Sequence, residues 1–169
     1  MSSIEGLGLS TNVRVGLGYD SHRFSSERPL VLGGVTIPDH EGLSGHSDGD
    51  AIAHALIDAI LGAASLGNVG GHFSPNDPRW KDADSMELLR ASYGMIEREG
   101  WKVVNVDLTV VCESPQIAPF AVAMSERLSD VLQVPVKSIS VKGKTNEGMG
   151  WIGKGQGLAV HAVALVEKG

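Results

Sequence analysis

Residues 45–66, GHSDGDAIAHALIDAILGAASL, are apolar at most positions yet carry Asp50, His54 and Asp58 at intervals of four. Only an α-helix gathers such residues on one stripe. The spacing predicts a helix opening near Asp48 and stopping around Gly67, with Ile52, Leu56, Ala59, Ile60 and Ala63 as an apolar stripe to one side. One face therefore builds core and the other builds chemistry. A carboxylate, an imidazole and a second carboxylate are costly to bury and recur where a metal or a phosphate is met. Just before them, His46 and Ser47 fall where the free N–H groups of a first helical turn receive an anion.

The rest of the chain supplies the layer for that helix to rest on. Residues 13–17 form a β-rich run, and residues 30–37 read as a second strand, turned back by the polar SSERP between them. Asp20 and His22 fall two apart at the end of the first strand, a spacing that points both the same way. Residues 67–83 are too rich in Gly and Pro for a plain linker and suit a lid or a binding loop. Asp84 or Ser85 caps a second helix with Met86, Leu89, Tyr93 and Ile96 inward and Gly100 as its stop. Residues 101–112 alternate as a strand with Val104, Val106, Leu108 and Val110 on one face. Pro119 opens a third helix with Phe120, Met124, Leu128 and Val131 inward. Residues 136–142 and 158–166 close the chain as strands. This order predicts an α+β fold, a two-layer sandwich of one mixed β-sheet with helices on one face, over residues 13–169, after a flexible tail of residues 1–12. The last strand is apolar on both sides, so the second face of the sheet is expected to be buried against other subunits in a closed ring.

Composition narrows the partners. The formal net charge is −6 and no basic cluster interleaves with aromatic residues, which argues against nucleic acid. No apolar run is long enough to span a bilayer, and residues 1–12 lack the basic and apolar regions of a signal peptide. The single Cys112 excludes an internal disulfide and a cysteine-based zinc site, so a cytoplasmic setting is expected.

Three constellations carry chemistry. Asp20, His22 and His54 offer two imidazoles and a carboxylate, the three-ligand pattern that leaves Zn²⁺ an open position. The plainer alternative makes Asp20 a turn acceptor and the histidines unrelated groups. Glu147, among glycines and close to Lys144 and Thr145, suits a hard cation shared with substrate phosphates, with backbone amides available as an anion nest; a long glycine-rich hairpin is the plainer account. Residues 112–118, CESPQIA, can present backbone groups to a flat polar ring, or can simply be a strand-to-helix turn. Cys112 has no adjacent base and reads as a small buried hydrophobe.

At these residues the chain resembles the 2-C-methyl-D-erythritol 2,4-cyclodiphosphate synthase family of the non-mevalonate isoprenoid pathway, through GYDSHRF, LGGVTIP and GHSDGDAIAHALIDAILGAASLGNVG. The resemblance implies a homotrimer with active sites at the subunit interfaces. It further implies a cyclising, CMP-releasing phosphorus–oxygen lyase acting on a cytidine nucleotide. Asp20, His22 and His54 match the ligands of Zn²⁺ or another divalent transition metal, and Glu147 matches the residue that helps hold Mg²⁺ or Mn²⁺ between the phosphates. His46 and Thr145 match positions that steady the transition state, and Ser47 a neighbour of the phosphates. Cys112, Pro115, Ile117 and Ala118 match the cytosine-reading loop, while Phe73, Asn76 and Asp77 match the loop over the methylerythritol phosphate. Asp58, Asn68, Gly70, Lys144, Asn146, Trp151 and Lys154 complete the implied substrate contacts, the last two near the trimer axis. Asn68 and Pro75 stand where the family has carboxylates, and Gln156 and His161 replace acidic residues near the axis. Two rivals stand beside this implication: a zinc hydrolase using the same three ligands, and a non-catalytic metal- or nucleotide-binding trimer.

Overall fold

The computed structural model describes residues 12–45, 47–74, 76–80 and 83–169. Strand β1 (Val13–Leu32) serves two partners. As far as Arg23 it runs antiparallel to β5 (Gly157–Lys168), and from Phe24 onward antiparallel to β2 (Val35–Leu43). The expected pair of short strands separated by a polar loop is therefore corrected. SSERP lies inside β1, where an irregular register between Ser25 and Leu30 absorbs Pro29, a residue with no N–H to give a ladder. Asp20 and His22 sit in mid-strand, just before β1 changes partner, and not at a strand end. The reversal into β2 is made by Gly33 and Gly34, both at positive φ (57° and 70°), which a residue without Cβ adopts freely.

Strand β3 (Trp101–Val111) pairs antiparallel with β5 and parallel with β4 (Ile139–Lys144), completing a mixed sheet of order β2-β1-β5-β3-β4. A register shift between Val103 and Asn105 alters the expected alternation. Val103, Val106, Leu108 and Val110 are buried, and Val104 is left half-exposed.

The helical layer consists of α1 (Ala51–Ala63), the short α2 (Val69–His72), α3 (Ser85–Arg98), α4 (Ala121–Leu132) and the short α5 (Gly150–Gly153). Asp84 caps α3 by accepting the Met86 N–H, as expected. Helix α1 is buried almost all round, with Ile52, Leu56, Ile57, Ile60 and Leu61 wholly inaccessible. It starts later than its spacing suggested. Asp50 is not on the polar stripe but is the N-cap, with 0% of its surface exposed. Its Oδ1 accepts from the N–H groups of Gly33 (2.9 Å), Ile52 (3.0 Å) and Ala53 (3.1 Å), and its Oδ2 accepts from Gly34 (2.7 Å). One side chain thus ties the β1–β2 turn to the start of the helix. The far end stops at Ala63 with Ala64 as C-cap, before Gly67.

Helix α1 lies unusually close to β1. A Cβ built on Gly16 would stand 1.9 Å from the Ala59 carbonyl oxygen, and one on Gly18 would stand 1.8 Å from that of Ala55. Only glycine at both positions lets the backbones touch. On the opposite face of β1 and β5, Val15 (67%), Leu17 (70%), Tyr19 (50%) and Val163 (40%) are exposed among the described residues. The structure is thus a mixed α+β fold built on one five-stranded sheet. At the start of the described chain the Asn12 carbonyl accepts from Lys168 N–H; the rest of the expected tail lies outside the described residues. No helix among those residues is long and apolar enough to cross a membrane.

Candidate metal centre

Even-numbered residues of β1 face the helices, so Asp20 and His22 emerge on the same side as Gly16 and Gly18, and the close seat of α1 brings His54 to them. The Asp20 carboxylate oxygen Oδ2 lies 2.8 Å from His22 Nε2 and 3.1 Å from His54 Nδ1. All three donor atoms fall within 4.8 Å of one another. Two imidazole nitrogens and one carboxylate oxygen are the donor set of three-protein-ligand zinc sites, so these residues fit a divalent transition metal. The second nitrogen of His22, Nδ1, lies 2.6 Å from the Ser44 carbonyl oxygen. A carbonyl can only accept, so Nδ1 carries the hydrogen and donates, leaving Nε2 to face Asp20.

The electrostatics follow. Burial alone would raise the Asp20 carboxyl, but hydrogen bonds from both imidazoles and their charge bring it down to about 2. Burial works against the His22 imidazolium, yet the Asp20 hydrogen bond and charge prevail and hold it above the usual histidine value. Both shifts have one origin, a carboxylate oxygen held between two ring nitrogens.

The cluster opens into a cavity of about 240 Å³ lined by Tyr19, Ser47, Asp58, Val69, Gly70, Phe73, Trp80 and Leu88 as well as the three ligands. Asp58 accepts the Val69 N–H at 2.7 Å, and burial pushes its carboxyl above the ordinary range. Phe73 is buried edge-on against Trp80, with ring centroids 5.1 Å apart. Asn68 caps α2 by accepting the Gly71 N–H at 2.9 Å. Asn76 is exposed, and Asp77 pairs with the Arg79 guanidinium, which holds its carboxyl below the ordinary range. His46 and Pro75 lie outside the described residues.

The remaining expected residues gather elsewhere. Cys112, Pro115, Ile117, Ala118, Lys144 and Thr145 line a second cleft of about 210 Å³ at the ends of β3 and β4. Burial, then the Glu113 charge, pushes the Cys112 thiol up to about 11, which keeps it protonated at neutral pH. Glu147 does not join the three-ligand cluster. It is exposed, held at φ 51°, and accepts the Thr145 hydroxyl at 2.9 Å. Two backbone amides of this segment already hold a carboxylate of the chain itself. Glu113 Oε1 accepts from the N–H groups of Asn146 (2.9 Å) and Gly148 (3.2 Å), while the Asn146 amide donates to the Met149 carbonyl. Trp151 lines a third hollow with Tyr19, Ser21, His22, Arg23 and Gln156, and exposed Lys154 ends α5.

Ser21 of β1 and Val111 of β3 both pair with Ala159 of β5, so the metal cluster and the second cleft lie at the same end of the sheet, two strand spacings (about 10 Å) apart. They share no lining residue among those described. Several contributors escaped the sequence: Tyr19, Val69, Trp80 and Leu88 in the cavity wall, Glu113 at the amides of residues 146 and 148, and Ser85 against His54. The Asp-Ser pair opening α3 is the one signal that pointed toward Ser85, and it reads equally well as a simple cap.

Comparison with known proteins agrees with this architecture. A family model described as "YgbB family" matches residues 13–167. The chain is 53% identical over 152 residues to a 2-C-methyl-D-erythritol 2,4-cyclodiphosphate synthase of Symbiobacterium thermophilum, covering 90% of this chain and 97% of that protein. Among solved structures it is similar to the bifunctional IspDF of Campylobacter jejuni (39% identity, TM-score 0.91), spanning 95% of this chain and 43% of that one. It is also similar to a CDP complex of IspF from Plasmodium falciparum (34% identity, TM-score 0.82, 94% and 97% of the two chains).

Proposed function

The chain belongs to the YgbB family, and on that footing we propose that it converts 4-diphosphocytidyl-2-C-methyl-D-erythritol 2-phosphate to 2-C-methyl-D-erythritol 2,4-cyclodiphosphate and CMP. It is then a metal-dependent phosphorus–oxygen lyase of isoprenoid biosynthesis, in a single domain over residues 13–169. The observation that carries the chemistry is the Asp20 oxygen shared by His22 and His54 at the floor of an open cavity.

In this reaction an oxygen of the substrate's 2-phosphate attacks the β-phosphorus, and the bond from that phosphorus to the CMP oxygen breaks. The substrate brings its own nucleophile, so no attacking side chain is needed. The obstacle is electrostatic. Two unit negative charges at ~4 Å repel by about 1 kcal/mol in water and several-fold more in a drier site. Asp20, His22 and His54 would hold Zn²⁺ and Glu147 would hold Mg²⁺ or Mn²⁺, ions that when bound neutralise the phosphates and polarise their oxygens. His46 and Thr145 steady the transition state with hydrogen bonds, and Ser47 contacts the phosphates. Phe73 and Trp80 wall the methylerythritol side of the cavity. Holding the reacting groups in line supplies the remaining advantage, since well-oriented intramolecular reactions reach effective molarities of about 10⁵ M or more.

The cytidine end belongs in the second cleft, against the backbone of Cys112, Pro115, Ile117 and Ala118 and beside Lys144. The exposed apolar face of the sheet and the separation of cavity and cleft favour a homotrimer in which one subunit's cleft completes another's metal cavity. A lone, buried and protonated Cys112 suits a reducing, cytoplasmic setting.

Incubation with the substrate, Zn²⁺ and Mg²⁺ should yield CMP and the cyclic diphosphate in equal amounts, and His54→Ala should abolish both. Release of inorganic phosphate would identify a hydrolase instead. Binding of cytidine nucleotide without turnover would identify a non-catalytic binder.

A further inference from the structure

His54 reaches Asp20 through Nδ1 and turns Nε2 the other way, into a buried polar knot between the entry of α1 and the first residue of α3. Nε2 lies 3.0 Å from Ser47 Oγ and 3.0 Å from Ser85 Oγ, and the two hydroxyl oxygens are 3.2 Å apart. Ser85 has no exposed surface and Ser47 only 6%. Behind Ser85 stands Asp48. Its Oδ1 accepts the Ser85 hydroxyl in a short hydrogen bond and also the Asp50 N–H at 3.1 Å, and its Oδ2 accepts the Ser85 N–H at 3.1 Å.

The direction of this chain is set by counting hydrogens. A carboxylate offers none, so the single hydroxyl hydrogen of Ser85 is committed to Asp48. Ser85 Oγ can then meet His54 Nε2 only as an acceptor, so the contact is a hydrogen bond when Nε2 carries the hydrogen; Ser47 Oγ accepts from the same N–H and turns its own hydrogen to Ser85 Oγ. In a neutral imidazole that leaves Nδ1 as a bare lone pair, aimed at Asp20 Oδ2 across 3.1 Å. Two acceptors at that distance repel unless a cation binds both. Asp48, 37 residues from the Ser85 that it holds, therefore has a consequence at the opposite edge of the ring.

We propose that Asp48 and Ser85 are positioning residues for the metal centre. They lock His54 in its Nε2–H tautomer, keep its Nδ1 lone pair toward the ion and, through the carboxylate, raise the basicity of that nitrogen. They do for His54 what the Ser44 carbonyl does for His22. The proposal rests on the metal function assigned above to Asp20, His22 and His54.

The test is zinc affinity of the full chain, measured by competition with a chromophoric chelator, with folding checked by circular dichroism. Asp48→Asn is the informative variant. An amide has one acceptor oxygen where Asp48 uses two, and with the amide NH₂ turned toward Ser85 the hydroxyl is driven to donate to His54 Nε2, which reverses the tautomer. A carboxylate-to-amide change behind a histidine acts in this way in serine proteases. Ser85→Ala removes the relay but leaves Ser47 Oγ as an acceptor for Nε2–H. Loss of metal-ligand support of this kind costs about 10–100-fold in affinity, so Asp48→Asn should fall toward the upper end and Ser85→Ala toward the lower. Asp84→Ala, which uncaps the same helix without touching the relay, should bind zinc as wild type does. Ring ¹⁵N correlation spectra at a fixed, limiting zinc concentration should show His54 ligated through Nδ1 with its hydrogen on Nε2 in wild type, and a smaller ligated fraction in Asp48→Asn.

If wild type binds zinc and both Asp48→Asn and Ser85→Ala stay within about twofold of it, the relay is refuted and the metal centre stands. Equal weakening by all three variants also refutes it, because the effect would then come from how α3 is seated. A wild-type chain that takes up no zinc overturns the metal centre and the relay together.

Discussion

Gly18→Ala should do more harm to the metal centre than a single methyl group suggests. The new Cβ would stand 1.8 Å from the Ala55 carbonyl oxygen and 2.8 Å from the Ala59 nitrogen, against an ordinary contact of 3.4 Å or more. Both neighbours are backbone atoms and cannot rotate away, so α1 must retreat from β1 by about 1.5 Å in a core that is close-packed. Ala55 directly follows His54, so the retreat is passed to the imidazole. Its Nδ1 now lies 3.1 Å from Asp20 Oδ2, and metal–ligand distances tolerate about 0.2 Å. Overpacking of this kind costs about 1–3 kcal/mol. In a chain of this size that lowers Tm by about 3–10 °C. Differential scanning calorimetry reads the first effect, and chelator competition should show zinc affinity reduced by at least about 10-fold. Gly16→Ala is the comparison: its Cβ would meet the Ala59 carbonyl at 1.9 Å, farther along the helix, so it should lose similar stability with less damage to metal binding. A Gly18→Ala protein with wild-type Tm and wild-type zinc affinity would refute the close seat of α1 as the cause of the site's geometry.

Asp50→Asn leaves the half-buried Gly34 N–H facing an amide NH₂ where it now has a carboxylate oxygen at 2.7 Å, a donor without an acceptor. The urea midpoint should fall by an amount worth about 1–3 kcal/mol with an unchanged m-value. For pH, His22 is raised in the fold above 6.5, so its contribution to the metal-free protein is complete below that value and is lost as pH rises through the folded pKa. The Tm difference between wild type and His22→Gln should therefore shrink above neutrality while zinc affinity grows, because the metal replaces the Nε2 proton; a difference constant across that interval would contradict the Asp20–His22 pairing. Asp20, held at about 2, behaves oppositely: its share, about 2 kcal/mol, is full above 3.8 and disappears as pH falls through about 2. On the exposed face of β1, Leu17→Glu should convert the proposed trimer to smaller species in sedimentation velocity without loss of secondary structure.

Much of this molecule was legible in residue order because the forces involved are short-ranged. The apolar run of α1, the Asp84 cap, the inward stripes of α3 and α4 and the two-residue spacing of Asp20 and His22 depend on neighbours within a turn or a pleat. Their interpretation held wherever no distant partner intervened. Where one did, the outcome changed. SSERP continues β1 because β2 offers it a ladder, Val104 yields the core to Val103 because of a bulge against β5, and Asp50 leaves the polar stripe because the Gly33–Gly34 turn folds onto it. The metal centre joins Asp20 to a histidine 34 residues away, and that junction depends on two glycines whose missing Cβ atoms admit a helix backbone. Residue types announce which groups can bind a metal; whether two histidines meet one carboxylate oxygen is settled by how closely two backbones can approach, a distance that no local pattern encodes.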